Sequence, residues 1–106
     1  MALTHYGKPH ITALHGGQAG AFLVRGAFVW DGTDATGTLP FAFGKISGIS
    51  FTPLSAPDAD EIHYLVDADV NTTSGLITVP VSGIAIGRTG ASPVSAVKVA
   101  YSYVGY

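Results

Sequence analysis

The stretch from Gly20 to Asp34, GAFLVRGAFVWDGTD, constrains the fold more than any other part of the chain. It is the longest apolar run, and it holds the only tryptophan, Trp30. Valine, phenylalanine, leucine and tryptophan dominate it, and such residues fit a pleated, half-buried surface. Read with period two, Phe22, Val24, Phe28 and Trp30 share one face with Gly26, and Leu23, Arg25, Ala27 and Val29 share the other. Both faces are largely apolar, which predicts a central strand covered on two sides. Gly26 in mid-strand predicts a bulge or a close approach of another group to the backbone. The run ends in a turn signal, Asp31-Gly32-Thr33-Asp34.

The rest of the chain continues in the same style. Glutamate occurs once, at Glu61, glutamine once, at Gln18, and fourteen glycines and six prolines punctuate the 106 residues. No window carries an apolar i, i+3, i+4, i+7 pattern. The expectation is an all-β protein, an antiparallel β-sandwich or jelly-roll-like barrel. Further strands are predicted over Leu39–Phe43, Ile46–Thr52, Glu61–Val70, Leu76–Val81 and Val94–Tyr103. The Glu61–Val70 segment alternates most cleanly, and its pattern predicts Ile62, Tyr64, Val66, Ala68 and Val70 facing inward, with His63, Leu65, Asp67 and Asp69 outward. Asn71-Thr72-Thr73-Ser74-Gly75 reads as a hairpin loop. Residues 1–19 have no sustained periodicity beyond a possible short strand at His10–Leu14, and read as a flexible N-terminal arm, poorly ordered unless it docks. Residues 20–106 read as a single β-domain.

Charged residues are 11% of the chain, against about 25% in a typical soluble domain. The surface is therefore expected to be rich in Ser, Thr, Gly and Ala and easily desolvated, which suits a protein that works docked against another surface. The formal charge is −2, and Lys8, Arg25, Lys45, Arg88 and Lys98 are scattered, so no basic run predicts nucleic-acid binding. Cysteine is absent, leaving packing or oligomerisation to supply stability. No apolar run approaches the roughly 20 residues that span a membrane. The start, Met1-Ala2-Leu3-Thr4-His5, lacks the form of a signal peptide, and a soluble protein made in a cytosol is expected.

No constellation in the chain names a reaction, a metal or a cofactor. His5, His10 and His15 are spaced by five, which puts neighbours on opposite faces of a strand and far apart on a helix. Asp67-Ala68-Asp69-Val70-Asn71 has the start of a calcium loop, but Thr72 stands at the glycine position and Thr78 at the glutamate position. The same two aspartates sit about 6.6 Å apart if on one strand, yet a hydrolase pair normally flanks a cleft from different elements. No G-x-S-x-G occurs, and Gly87-Arg88-Thr89-Gly90 lacks the lysine and helix of a phosphate loop. The tyrosines say more. Tyr6 lies in the arm, and Tyr101, Tyr103 and Tyr106 close the chain, and tyrosine is common both at interfaces and at the rim of cores.

The start Met1-Ala2-Leu3-Thr4-His5-Tyr6-Gly7, the glycine-rich body and the ending Tyr101-Ser102-Tyr103-Val104-Gly105-Tyr106 resemble small structural proteins of tailed bacteriophages. The run Phe28-Val29-Trp30-Asp31-Gly32-Thr33, following an arm, is similar to the V-x-W-D-G-T segment of the lambda-type head decoration proteins. The likeness covers about a quarter of the chain, and the body after Gly37 departs from that pattern. The resemblance implies a non-enzymatic capsid decoration (cement) protein, made in the host cytoplasm and seated as a homotrimer on the virion exterior. Its arm would pair with the major capsid protein. On that reading Thr4, His5, Tyr6 and His10 are the expected capsid contacts, and Trp30, Tyr101 and Tyr103 the expected trimer seam. Two rivals are another virion part, such as a tail or head-completion protein, and a small carbohydrate- or receptor-binding module.

Overall fold

The computed structural model describes residues 2–14, 20–41, 43–54, 62–89 and 96–106. The protein is all-β, with curled antiparallel sheets that form a half-barrel. Among the described residues no helix is long and apolar enough to cross a membrane. Among the described residues ten strands follow one another: β1 (Leu3–His5), β2 (His10–Ala13), β3 (Phe22–Trp30), β4 (Thr36–Leu39), β5 (Lys45–Pro53), β6 (Ile62–Leu65), β7 (Asp69–Val70), β8 (Ile77–Thr78), β9 (Ile84–Thr89) and β10 (Lys98–Gly105). The large sheet runs β1-β3-β10-β5-β8-β7, with β2 also paired to β3, and the small sheet runs β4-β9-β6.

The apolar run becomes β3, and its register with β10 places Val99 opposite Phe28, Tyr101 opposite Gly26 and Tyr103 opposite Val24. Cross-strand partners share a face, so these residues form the inner side of the large sheet. Val24, Phe28, Trp30 and Val99 are almost wholly buried there, together with Leu39 and Ile86 from the small sheet. Burying each such side chain contributes about 1.5–3 kcal/mol. Leu23, Ala27 and Val29 on the opposite face of β3 are only half-buried, and Arg25 is exposed. The expectation of a strand covered on both sides is thus half met: the small sheet covers one face only.

Glycine shapes the sheets in two ways. A β-carbon on Gly26 would lie 2.6 Å from the Tyr101 hydroxyl, and one on Gly87 would lie 2.6 Å from Cζ of Tyr64. In each case the ring belongs to the residue directly opposite in the neighbouring strand and lies across the bare backbone. Gly48 takes φ +132°, close to where the pairing of β5 with β10 shifts register between Tyr103 and Gly105. A backbone in that region favours glycine, and the extra residue it accommodates bends β5.

Three segments depart from expectation. The strand predicted over Leu39–Phe43 lies earlier, at Thr36–Leu39. Pro40 lacks the N–H needed to extend it, and Phe41 and Phe43 pack on the core from outside the strand. The alternating segment Glu61–Val70 is broken after Leu65, with Asp67 at φ 50°. Over Ile62–Leu65 its phase is also the reverse of that expected, while beyond the break Ala68 packs on the core and Asp67 and Asp69 are exposed, as expected. Ile62, Tyr64 and Val70 are 64%, 42% and 50% exposed, while His63 and Leu65 turn toward the interior. The reason is polar and steric: His63 supplies an acceptor to the buried indole of Trp30, and Tyr64 must lie on the outer face to cover Gly87. The predicted strand Leu76–Val81 shortens to Ile77–Thr78 because Pro80 to Gly83 closes a turn, Gly83 N–H donating to the Pro80 carbonyl. The hairpin loop is as read: Asn71 Oδ1 accepts from the N–H groups of Thr73 and Ser74, and Gly75 takes φ +75°.

Candidate functional site

The arm lies along the outer edge of β3. Leu3, Thr4 and His5 oppose Trp30, Val29 and Phe28, and His10 to Ala13 oppose Arg25 to Phe22. Between them Tyr6 N–H donates to the Ala27 carbonyl, and beyond them Leu14 N–H donates to that of Ala21. Gly7, at φ +59°, with Lys8 and Pro9 forms an irregular step that shifts the register by two residues. Leu3 is buried and packs against Gly37, which ties the arm to the small sheet as well.

A strand at a sheet edge has one row of main-chain groups turned away from its partner. The bonds made by Ala2, Tyr6 and Leu14 set the alternation, and it leaves the N–H and C=O groups of Leu3, His5, Ile11 and Ala13 on the open side. Beside them Tyr6, Ile11 and Leu14 are 47%, 48% and 40% exposed. Among the described residues no further strand pairs with this edge.

The four arm residues singled out in the sequence fall in different places. Thr4 and His10 are exposed on the outer face, and Tyr6 is exposed between the two arm strands. His5 points inward. Its Nδ1–H donates to the Gly7 carbonyl at 3.0 Å, which makes Nε2 the acceptor for the Tyr101 hydroxyl at 2.6 Å. The ring meets the Tyr101 ring edge-on with centroids 5.6 Å apart. His5 therefore fastens the arm to the sheet, and it and His10 face opposite sides. His15 lies outside the described residues. Among those residues no group of three or more His, Asp or Glu side chains could hold a metal ion.

Trp30, Tyr101 and Tyr103, the expected seam between copies, are 1%, 4% and 5% exposed within a single chain. They serve the core. Burial pushes the Tyr101 hydroxyl up to about 12, with the neighbouring Tyr103 adding to it, and burial also raises Tyr103. Tyr101 and Tyr103 stack at 5.9 Å, and Tyr103 stacks on Phe41 at 4.5 Å. Trp30 joins the two sheets. Its indole N–H donates to His63 Nε2 at 2.9 Å, and the Arg88 guanidinium lies 4.3 Å above its ring. Arg88 is 3% exposed and donates from Nε and Nη2 to the Asp34 carbonyl. That carbonyl sits in the turn after β3, where Asp31 Oδ1 accepts from the N–H groups of Thr33 and Asp34. A hydrogen bond between the two carboxyls, with these N–H donors, holds Asp31 well below the usual carboxylate range and leaves Asp34 above it.

The open edge of the arm was not visible in the sequence as a set of residues, because main-chain groups carry it. The inward turn of His5 has a partial signal, the mid-strand Gly26 that leaves room for the Tyr101 ring. No family model matches the chain, and neither a curated protein nor a solved structure is similar to it.

Proposed function

We propose that the chain is a non-enzymatic structural protein of a bacteriophage virion, which binds the capsid exterior and stabilises it. The observation that supports this most is the open edge of the arm. The main-chain groups of Leu3, His5, Ile11 and Ala13 form a template to which an extended segment of the shell protein can add as one more strand. Such pairing gains hydrogen bonds without a special sequence on either side, and the exposed Tyr6, Ile11 and Leu14 supply apolar area beside it. The sparsely charged surface is inexpensive to desolvate. The resemblance of the Phe28 to Thr33 segment to phage decoration proteins, and of the chain start to small phage structural proteins, points the same way, and it carries the homotrimer as part of the reading.

The test is co-sedimentation with empty phage shells. Wild-type protein pellets with the shells and raises the temperature at which they rupture. Ala13→Pro removes one donor from the open edge and leaves the bonds to β3 in place, so it weakens shell binding while the domain stays folded. Wild-type protein that stays in the supernatant sinks the proposal. Light scattering on the free protein tests the trimer, which has three times the 10.9 kDa of one chain.

A further inference from the structure

Three of the five cations, Arg25, Lys45 and Lys98, lie on strands of the large sheet. β1, β2, β3, β5 and β10 contain no aspartate or glutamate, and Arg25, Lys45 and Lys98 are exposed on them. One place gathers charge closely. A concavity of about 330 Å³ between the arm and β3 is lined by Tyr6, Lys8, His10 and Arg25, with Gly26 and Ala27 as its floor. His10 and Arg25 are directly opposed in the register, on the outer face. The irregular step at Gly7 to Pro9 brings Lys8 to the same concavity. Nitrogen-bearing groups set this close are unfavourable without an acceptor between them, and among the described residues none of these side chains has a partner. Arg88 differs: it is buried and bonded to Asp34. Arg25 and Gly26 also line an adjoining concavity of about 240 Å³, where Ser50, Thr52 and Ser102 add hydroxyl donors.

We infer that this concavity is a carboxylate-binding site, which takes the acidic side chains of a protein surface seated against the arm. The inference rests on the docking reading above and names the chemistry of the partner. Arg25 offers a planar fork of donors that matches a carboxylate with two parallel bonds, and Lys8 adds a point charge. A nucleic-acid backbone fits less well. It asks for many cations in a row, and the chain carries a formal −2 with two permanently charged groups at this site. The site adjoins the open edge, so a segment adding to β1 and β2 places its side chains beside it.

Two measurements test this. The first titrates the protein, at low ionic strength, with an acetylated, amidated hexaglutamate peptide and follows its amide resonances. Saturable shifts are expected at Tyr6, His10 and Arg25, and these shifts weaken in high salt. The double variant Lys8→Gln, Arg25→Gln, checked for folding by circular dichroism, is expected to bind about tenfold or more weakly. Equal binding by the variant, shifts centred elsewhere, or tighter binding of a DNA duplex at the same residues overturns the inference. The second measurement repeats co-sedimentation with shells. If wild-type protein and the double variant pellet equally, the carboxylate site is wrong and decoration stands. If wild-type protein binds the peptide at this site but not the shells, decoration is wrong and the site stands.

Discussion

The contact of Tyr101 with Gly26 and His5 can be broken by one methyl group. In Gly26→Ala the new β-carbon would lie 2.6 Å from the Tyr101 hydroxyl, 2.7 Å from Cζ and 2.9 Å from Nε2 of His5. The Tyr101 ring cannot swing aside freely, because it is 4% exposed and packed between Phe28 and Tyr103. Overpacking of this kind costs about 1–3 kcal/mol. Losing the hydroxyl bond to His5 costs about 0.5–1.5 kcal/mol more. Alanine in place of glycine returns roughly 0.5–1 kcal/mol through the unfolded chain. Together these give a net loss of about 0.5–4 kcal/mol, centred near 2 kcal/mol. Urea unfolding of wild type, Gly26→Ala, Tyr101→Leu and the double variant measures it. In the Tyr101→Leu background the methyl meets no phenol and only the His5 ring, 2.9 Å away, has to shift, so Gly26→Ala is expected to cost markedly less. A coupling energy near zero, with Gly26→Ala equally damaging in both backgrounds, would refute the reasoning. The same variant should speed hydrogen exchange at Tyr6, whose N–H is bonded to the Ala27 carbonyl next to the site.

Further outcomes follow from the same contacts. Trp30→Phe removes the indole donor to His63 and the better cation–π face under Arg88, and is expected to lower stability by about 2–3 kcal/mol in denaturant titration. The raised Tyr101 makes stability sensitive to alkali in a defined direction. The folded state favours the neutral phenol, so its contribution is complete below about pH 10, falls as the unfolded chain ionises first, and is lost as pH rises through about 12. Unfolding curves unchanged between pH 9 and 12 would contradict this. Deleting residues 2–14 should abolish shell binding and also weaken the domain, since Leu3 and His5 leave Gly37 and Tyr101 uncovered and β3 becomes a bare edge. A deletion variant that is both as stable as wild type and monomeric argues against the packed arm.

The longest strands were legible from period two alone. β3, β5 and β10 keep their apolar faces because each has one side packed on the core, and the alternation records it. The phase of β6 was not legible. Ile62 and Tyr64 look like the inward residues by hydropathy, yet the buried Trp30 indole needs an acceptor and Gly87 needs a cover. Those demands come from other strands, and a single segment cannot show them. β4 was placed too late in the chain for a similar reason, since Gly37 weakens the pattern where Leu3 fills its space. Residues Tyr101 and Tyr103 illustrate the ambiguity of tyrosine, whose amphipathic ring suits an interface and a core rim alike. Of the arm, only the short strand beginning at His10 was legible. Its pairing with β3 was not, because an edge is recognised through main-chain groups that every sequence possesses.

Trp30 has a consequence for how the molecule can be watched. It is the only tryptophan in the chain, and both its ring face and its N–H are committed to the opposite sheet, through Arg88 and His63. Fluorescence excited at the red edge of the spectrum therefore reports from a single clasp between the two layers. Parting of the sheets exposes the indole to water and moves its emission to longer wavelength, while changes confined to the arm's free edge leave its emission as it was. Shell binding that leaves this colour unchanged takes place on an intact sandwich; a shift on binding means that docking opens it.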